Sequence, residues 1–160
     1  MFDDTLDNTP HDVPLETTGV GTHEVTHYGN NREDVYDFDS DGNIDLYTAD
    51  NDDDGRPVVT ARDTDDDGNF DEVQYDGNEN GVAEEVVMDT DDDGHDDLRL
   101  IDWNENGVPE RIVRDNDEDG RADQWDYDRD EDGRIDDSYH DTNGDGRPDL
   151  HTTTTVQPRR

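Results

Sequence analysis

Aspartate recurs at a fixed interval of 13 residues through most of this chain. Nine aspartates keep this phase without an insertion or a deletion: Asp37, Asp50, Asp63, Asp76, Asp89, Asp102, Asp115, Asp128 and Asp141. Each one begins a loop of the form Asp-x-Asp/Asn-x-Asp/Asn-Gly. A repeat this short cannot bury a hydrophobic face by itself, so neighbouring copies must pack against one another. The interval therefore predicts an array of stacked repeats.

Side-chain oxygens occupy alternate positions after each opening aspartate, which we number position one. Positions three and five are Asp39 and Asp41, Asp52 and Asp54, Asp65 and Asp67, Asn78 and Asn80, Asp91 and Asp93, Asn104 and Asn106, Asp117 and Asp119, Asp130 and Asp132, and Asn143 and Asp145. Position six is glycine in all nine loops, from Gly42 to Gly146. Glycine allows the left-handed backbone that bends such a loop around a bound ion. Three oxygen donors around one point indicate a hard cation, and calcium is the first choice.

Position nine adds a fourth oxygen ligand in eight of the nine loops. These acids are Asp45, Asp71, Glu84, Asp97, Glu110, Asp123, Asp136 and Asp149, whereas the second loop has Val58. Positions one, three, five and nine, with glycine at six, match the first three-quarters of an EF-hand calcium loop. The glutamate of position twelve is missing, and four residues between loops leave no room for flanking helices. We therefore expect the remaining ligands to come from a neighbouring coil.

The four residues between loops are rich in β-branched and aromatic side chains, as in Glu72-Val73-Gln74-Tyr75 and Leu98-Arg99-Leu100-Ile101. Such segments predict short strands. Alternate repeats also resemble each other more than neighbours do, because Asp-Thr-Asp-Asp-Asp-Gly recurs at Asp63 and Asp89. The natural unit is thus 26 residues, with two loops and two strands.

This unit predicts an all-β fold: an elongated, calcium-stabilised β-solenoid of 13-residue repeats paired into 26-residue coils. Each coil would place its strands on two faces and its ion-binding turns along two edges. We expect a thin core between the faces, made of Tyr47, Val73, Tyr75, Val86, Leu100, Ile101, Ile112, Val113, Trp125 and Tyr127.

Composition explains why ions are needed. The chain has 50 acidic residues against 12 arginines, a net charge of −38 and only 25% hydrophobic residues, which alone would predict disorder. One divalent ion in each loop would neutralise about half of this charge. The acidic surface argues against nucleic acid as a partner. No apolar run has membrane-spanning length, so we expect no membrane insertion, and the absence of cysteine excludes disulfides and thiolate chemistry.

The two ends lack the loop pattern. We assign residues 1–36 to an N-terminal arm and a degenerate cap repeat, 37–153 to the nine repeats, and 154–160 to a C-terminal tail. Residues 24–36 have the length of one repeat, with Gly29 at the glycine position, but Thr26, Tyr28 and Arg32 are poor ligands. We expect this cap to bind no ion.

The loops resemble those of thrombospondin type 3 repeats and, more loosely, dockerin calcium loops. The stacked strands are similar to the calcium β-roll of RTX proteins. The resemblance covers Asp37 to about Leu150, roughly two-thirds of the chain. Thrombospondin repeats contain cysteines that are absent here, and the RTX repeat is about nine residues long. A closer resemblance, to bacterial Asp-x-Asp-x-Asp-Gly-x-x-Asp arrays with short apolar strands, implies calcium binding and a secreted or surface location without enzymatic activity.

The sequence therefore favours a calcium-binding structural protein that joins end to end with copies of itself into an extracellular filament or surface structure. The alternative is a calcium-stiffened adhesin or carbohydrate-binding module that recognises a cell-surface polysaccharide. Trp103 and Trp125, with several tyrosines, would then form an aromatic stripe on which sugars stack. No serine–histidine constellation or cleft-forming domain stands out, so we do not expect an enzyme.

Overall fold

The computed structural model describes residues 21–154, which form a single antiparallel sheet of 11 strands and no helix. The strands are β1 Thr22–Tyr28, β2 Asn31–Asp37, β3 Leu46–Asp50, β4 Val59–Arg62, β5 Glu72–Tyr75, β6 Glu85–Met88, β7 Leu98–Ile101, β8 Arg111–Arg114, β9 Gln124–Tyr127, β10 Asp137–His140 and β11 Leu150–Thr153. Their order in the sheet is their order in the sequence. The predicted arm at residues 1–20 and most of the predicted tail, residues 155–160, lie outside the described residues.

Strands form where the four-residue apolar segments lie between loops, so the all-β class is confirmed. The loops between them act as hairpin connections. The N–H of Asp45 donates to the carbonyl oxygen of Tyr36 at 2.9 Å, and that of Asp71 donates to Arg62 at 2.8 Å. Each such bond closes a loop, and the chain returns beside the strand that it has just left.

The structure differs from the predicted coil of 26 residues with strands on two faces. Tyr47 pairs with Ala61, and Ala61 pairs with Val73, both in antiparallel register. In a coil, strands of alternate repeats would have paired in parallel, and each loop would have carried the chain to the opposite face. A loop that is hydrogen-bonded across its base keeps both flanking strands in one sheet instead. A single-layer meander therefore takes the place of the flattened coil.

The 26-residue period survives as the spacing of loops on each side of the meander. The loops that begin at Asp37, Asp63, Asp89, Asp115 and Asp141 lie on one side, and we call them the first row. Those that begin at Asp50, Asp76, Asp102 and Asp128 lie on the other side and form the second row. Backbone hydrogen bonds join neighbours within a row: the N–H of Asp63 donates to the carbonyl oxygen of Asp45 at 3.1 Å. The two predicted lines of turns are thus present.

Most of the buried apolar side chains of the described residues lie along one register row of the sheet. Paired residues of antiparallel neighbours share a face, and the row runs through Ala61, Val73, Val87, Arg99, Val113 and Trp125. Arg99 ion-pairs with Glu85 at 3.0 Å and separates two apolar clusters. Tyr47, Val59, Phe70 and Tyr75 pack against the first cluster, and Ala122, Tyr127 and Tyr139 belong to the second.

The predicted core is correct in part. Val73, Ile101, Val113 and Trp125 are buried, while the other six predicted residues are half-buried. Val86, Leu100 and Ile112 pair with one another on the opposite face, because adjacent residues of a strand point to opposite sides. Within residues 21–154 no second layer covers them. On the face of the buried register row, Ala61 is 0% exposed, and Val87 and Val113 are 1% exposed each.

The described ends of the sheet differ from its middle. β1 and β2 form a hairpin around Gly29, whose φ is 70°. All four residues of β11 are exposed, and each outer strand has a neighbour on one side only. Both outer strands carry a histidine stacked on a tyrosine: His23 on Tyr36 and His151 on Tyr139, each with 4.2 Å between ring centroids.

Candidate metal sites

The aspartate at position one anchors every loop. In all nine loops its carboxylate accepts a hydrogen bond from the N–H of the glycine at position six, at 2.5–3.1 Å. These glycines have φ between 78° and 105°, so the left-handed turn predicted for position six is confirmed. Seven of the nine aspartates are buried: Asp37, Asp50, Asp63, Asp89, Asp115, Asp128 and Asp141. A buried carboxylate is stable only when it is hydrogen-bonded or paired with a positive charge.

The acid at position nine is hydrogen-bonded to the backbone at the start of its loop. In eight loops it accepts a hydrogen bond from the N–H of position two, for example from Thr90 to Asp97 at 3.1 Å and from Trp103 to Glu110 at 2.8 Å. Val58 cannot accept such a bond in the second loop. Position nine thus lies next to position one, although seven residues lie between them in the sequence.

Carboxylates from these positions come together in groups of three that can hold a metal ion. Ligand oxygens lie within 4.8 Å of one another in Asp37, Asp39 and Asp41, in Asp50, Asp52 and Asp54, in Asp63, Asp65 and Asp71, and in Asp89, Asp91 and Asp97. The groups combine position one with positions three and five, or with positions three and nine. Like charges at this separation repel one another, and a divalent cation would remove the repulsion.

Two loops of the second row carry asparagines in place of these aspartates. The side-chain N–H of Asn78 donates to Glu84 at 2.6 Å, and that of Asn104 donates to Glu110 at 2.5 Å. Asp76 and Asp102, at position one of these loops, are half-buried. In these loops the predicted ligands are hydrogen-bonded to one another, because the amide at position three donates to the carboxylate at position nine.

The pKa values of the loop carboxylates depend on burial, on neighbouring negative charges and on backbone N–H donors. Burial raises the pKa of Asp63, and the charges of Asp71 and Asp67 raise it further, although backbone N–H groups oppose them. Burial also raises the pKa of Asp50, but backbone N–H groups of its own loop, with that of Gly55 foremost, bring it below the ordinary value. Carboxyls that mainly face other carboxylates therefore favour a proton or a cation.

Among residues 21–154, two carboxylate oxygens are buried without a donor. Asp128 is only 2% exposed; its Oδ2 accepts the N–H of Gly133 at 2.8 Å, and its Oδ1 has no hydrogen-bond partner. Oδ1 of Asp66 is buried in the same way. An unsatisfied buried acceptor costs about 1–3 kcal/mol, and more when it is charged. A bound cation would satisfy these oxygens, which fits the donor set that the loops provide.

The residues that the sequence analysis missed are those at position four. They are acidic in seven of the nine loops: Asp53, Asp66, Glu79, Asp92, Glu105, Glu118 and Glu131. Glu118 forms a further group of three with Asp91 and Asp93, which belong to the preceding loop of the same row. The regular phase of these acids was a visible signal, but position four is not a ligand in the EF-hand pattern.

Comparison of the chain with protein-family models, with curated proteins and with solved structures gives no match. The resemblance to thrombospondin type 3 repeats and to RTX β-rolls therefore remains one of loop pattern. Within residues 21–154, no helix has the length and apolar character needed to cross a membrane.

Proposed function

We propose that this chain is a calcium-binding structural repeat protein, in which ions bound along both rows hold the sheet together. The observation that carries the proposal is the recurrence of carboxylate triads with ligand oxygens within 4.8 Å of one another, each combining positions one and three of a loop with position five or nine. Calcium suits these loops because it accepts six to eight oxygen ligands in irregular geometry. Magnesium prefers fewer protein ligands and retains its waters.

Calcium would supply much of the free energy of folding. At a dissociation constant of about 0.1–1 mM, typical of extracellular modules, a tenfold excess of ion contributes about 1.4 kcal/mol per site. Nine independent sites would contribute roughly 13 kcal/mol, comparable to the stability of a typical domain. The small apolar core supports this dependence, since a single sheet buries few large side chains.

We further propose that copies of the chain join through their outer strands into an extracellular or cell-surface filament. β1 and β11 each leave one side of their backbone without a strand partner among the described residues. Outer strands of this kind are templates for pairing with another chain. Antiparallel pairing of β11 with β1 of the next copy would continue the meander, and a secreted location would provide millimolar calcium.

Circular dichroism and electron microscopy of the purified chain, in millimolar calcium and then in excess chelator, test both parts. We expect a β-sheet spectrum and fibres in calcium, and loss of both on chelation. Magnesium at the same concentration is the control for ionic strength. A β-sheet spectrum that persists in chelator would contradict calcium-dependent folding. Compact monomers in calcium would instead favour the calcium-stiffened adhesin or carbohydrate-binding module.

A further inference from the structure

The residue at position four of each loop has the same unusual backbone conformation. Its φ lies between 57° and 70° in the eight loops where it is not glycine, and it is 70° at Gly144 in the ninth. Non-glycine residues adopt this left-handed conformation at a cost, most easily when they are Asn or Asp. Glutamate has no such ease, yet it occupies four of these positions: Glu79, Glu105, Glu118 and Glu131. An acid is thus placed where the backbone alone would favour glycine.

These side chains reach the preceding loop of their own row. Glu118 lies with Asp91 and Asp93 in one group of ligand atoms within 4.8 Å. The side-chain N–H of Asn106 donates to Glu131 at 2.6 Å, over a separation of 25 residues. Glu105 accepts hydrogen bonds from the side chains of both Asn78 and Asn80. In each case the partners of the acid are at position three, at position five, or at both.

Asp66 is an acid at position four whose preceding loop has aspartate at positions one, three, five and nine. Asp66 lies beside the first loop, because the side-chain N–H of Asn43 donates to the carbonyl oxygen of Asp66 at 3.2 Å, and positions three, five and nine of that loop are Asp39, Asp41 and Asp45. Oδ1 of Asp66 is buried and has no hydrogen-bond donor. A buried oxygen without a donor, beside a loop of carboxylates, requires a positive charge to be stable.

Asp53 provides an internal comparison, because the preceding turn of its row is the β1–β2 hairpin, which has no ligand loop. Here the chain itself supplies basic partners. Oδ2 of Asp53 lies 3.5 Å from Nε2 of His27, and its Oδ1 lies 3.9 Å from a guanidinium nitrogen of Arg32. The acid at position four is therefore directed toward the preceding turn even at the start of the row, and there it lies near basic side chains.

We propose that the carboxylate at position four completes the cation site of the preceding loop in its row, so that each ion ties two loops together. This inference rests on the proposed calcium binding. The side chain takes the role of the glutamate that these loops lack at position twelve. The orphaned Oδ1 of Asp128, which is 2% exposed, independently indicates a cation within the loops themselves.

The two rows become chains of coupled sites under this arrangement. Six loops receive the additional carboxylate, in the order Asp66, Glu79, Asp92, Glu105, Glu118 and Glu131. The loop that begins at Asp115 faces Gly144, which has no side chain to offer. Its site should be weaker than that of the loop at Asp89, which has the same Asp-rich ligands and faces Glu118.

Two variants with the same substitution test the inference. Asp66→Gly removes a bridging carboxylate, and Asp53→Gly removes the acid at position four that faces no ligand loop. Glycine preserves the left-handed backbone, as Gly144 does naturally. In calorimetric calcium titrations of the full chain, we expect Asp66→Gly to weaken one site by about tenfold and Asp53→Gly to leave every site unchanged.

A gain of affinity provides the second test. In Gly144→Asp the new Cβ meets no atom within 4 Å, so the side chain has room to reach the loop at Asp115. We expect one calcium site to become about tenfold tighter. This variant decides the question if Asp66→Gly fails to fold in calcium.

Unchanged affinities in both Asp66→Gly and Gly144→Asp, in a chain that otherwise binds calcium, would overturn the bridging role alone. A wild-type chain that takes up no calcium would overturn the proposed function together with it.

Discussion

The Asp-rich loops at Asp63 and Asp89 and the Asn-rich loops at Asp76 and Asp102 share one backbone but differ in how they are held. All four close through the same bond from the glycine N–H to the carboxylate of position one, at 2.6–2.8 Å. In the Asn-rich loops, amides then donate to the acid of position nine. In the Asp-rich loops, carboxylates occupy the corresponding places and face one another.

The shape of a loop and its need for a bound cation are therefore separate properties. Position one and the glycine produce the turn in either case, since both are present in all nine loops. Positions three and five decide whether the loop is satisfied by hydrogen bonds or needs a positive charge. The first row, which has four loops with two aspartates at these positions, should therefore depend on calcium more strongly than the middle of the second row.

The largest effect should come from breaking the turn itself. Valine at position 94 or at position 107 must adopt a left-handed backbone, which costs about 1–3 kcal/mol. In Gly94→Val the new Cβ also comes within 3.3 Å of Asn69, whereas in Gly107→Val it meets nothing within 4 Å. We expect both variants to melt earlier in calcium, and Gly94→Val by more. Equal melting temperatures would mean that contact between loops of a row adds nothing.

Exchanging the ligands should have the next largest effect. Asp91→Asn with Asp93→Asn gives the loop at Asp89 the pattern of the loop at Asp102. We expect the ion-free chain to gain about 0.5–1 kcal/mol from the loss of like-charge repulsion, while one calcium site weakens about tenfold. Urea unfolding in chelator and calorimetry in calcium measure the two changes.

The reverse exchange is the matched control. Asn104→Asp with Asn106→Asp should lower the stability of the ion-free chain and tighten one calcium site. If both exchanges shift stability and affinity in the same direction, the charge at positions three and five does not explain the difference between the loops.

Lowering the pH from 7 should increase the folding stability of the ion-free chain. Burial and the charge of Asp65 raise the pKa of Asp92, and the hydrogen bond and charge of Asp93 raise the pKa of Glu118. The folded chain then binds these protons more readily than the unfolded chain, so its stability falls as the pH rises through the raised pKa values. We expect denaturant unfolding in chelator to show greater stability at about pH 5 than at pH 7.

Calcium should reverse this trend, because protons compete with the ion for the same carboxylates. Asp137 provides a contrast outside the loops: hydrogen bonds from Arg129 and His151 lower its pKa, so its contribution is lost only at more acidic pH. A chain that becomes less stable on going from pH 7 to pH 5 in chelator would contradict the charge repulsion inferred for the loops.

The smallest effect is expected in the loop that already lacks an acid at position nine. Asp54→Ala should change the melting temperature in calcium less than Asp93→Ala, since Val58 leaves its loop with fewer ligands. Each of the two aspartates accepts one hydrogen bond from the backbone of its own loop, at 3.0 Å and 2.9 Å respectively, so the lost bond is the same. A larger effect of Asp54→Ala would contradict the assignment of position nine as a ligand.

The local features of the fold were predictable because short-range chemistry determines them. Four-residue apolar segments became strands, and the glycine at position six became a left-handed turn. The arrangement of strands was not predictable in the same way. A 26-residue similarity fits both a two-faced coil and a meander with loops on two sides, since both return every second loop to the same side. The hydrogen bond across the base of eight of the nine loops decides between them, and the side-chain pattern does not reveal it.

The buried positions were predicted only in part, for a related reason: Ala61 and Val87 were missed, whereas Val73 and Trp125 were identified. Ala61 and Val87 are the third residues of their strands, while Val73 and Trp125 are the second residues of theirs. Antiparallel register brings these alternating positions into one row, so no single repeat position is always buried. The contact of position four with the preceding loop likewise depends on how loops stack, and repeat spacing contains no such information.

A meander whose strands contact only their neighbours in sequence has a mechanical consequence. Tension between the two ends would load the sheet across its strands and detach them one at a time from an outer edge. Each detached repeat would release 13 residues, up to about 45 Å of extended chain. We expect single-molecule stretching in calcium to record equal steps of this length, at a force that falls as calcium is removed. Such a chain would act as an extensible tether whose stiffness follows the calcium concentration around it.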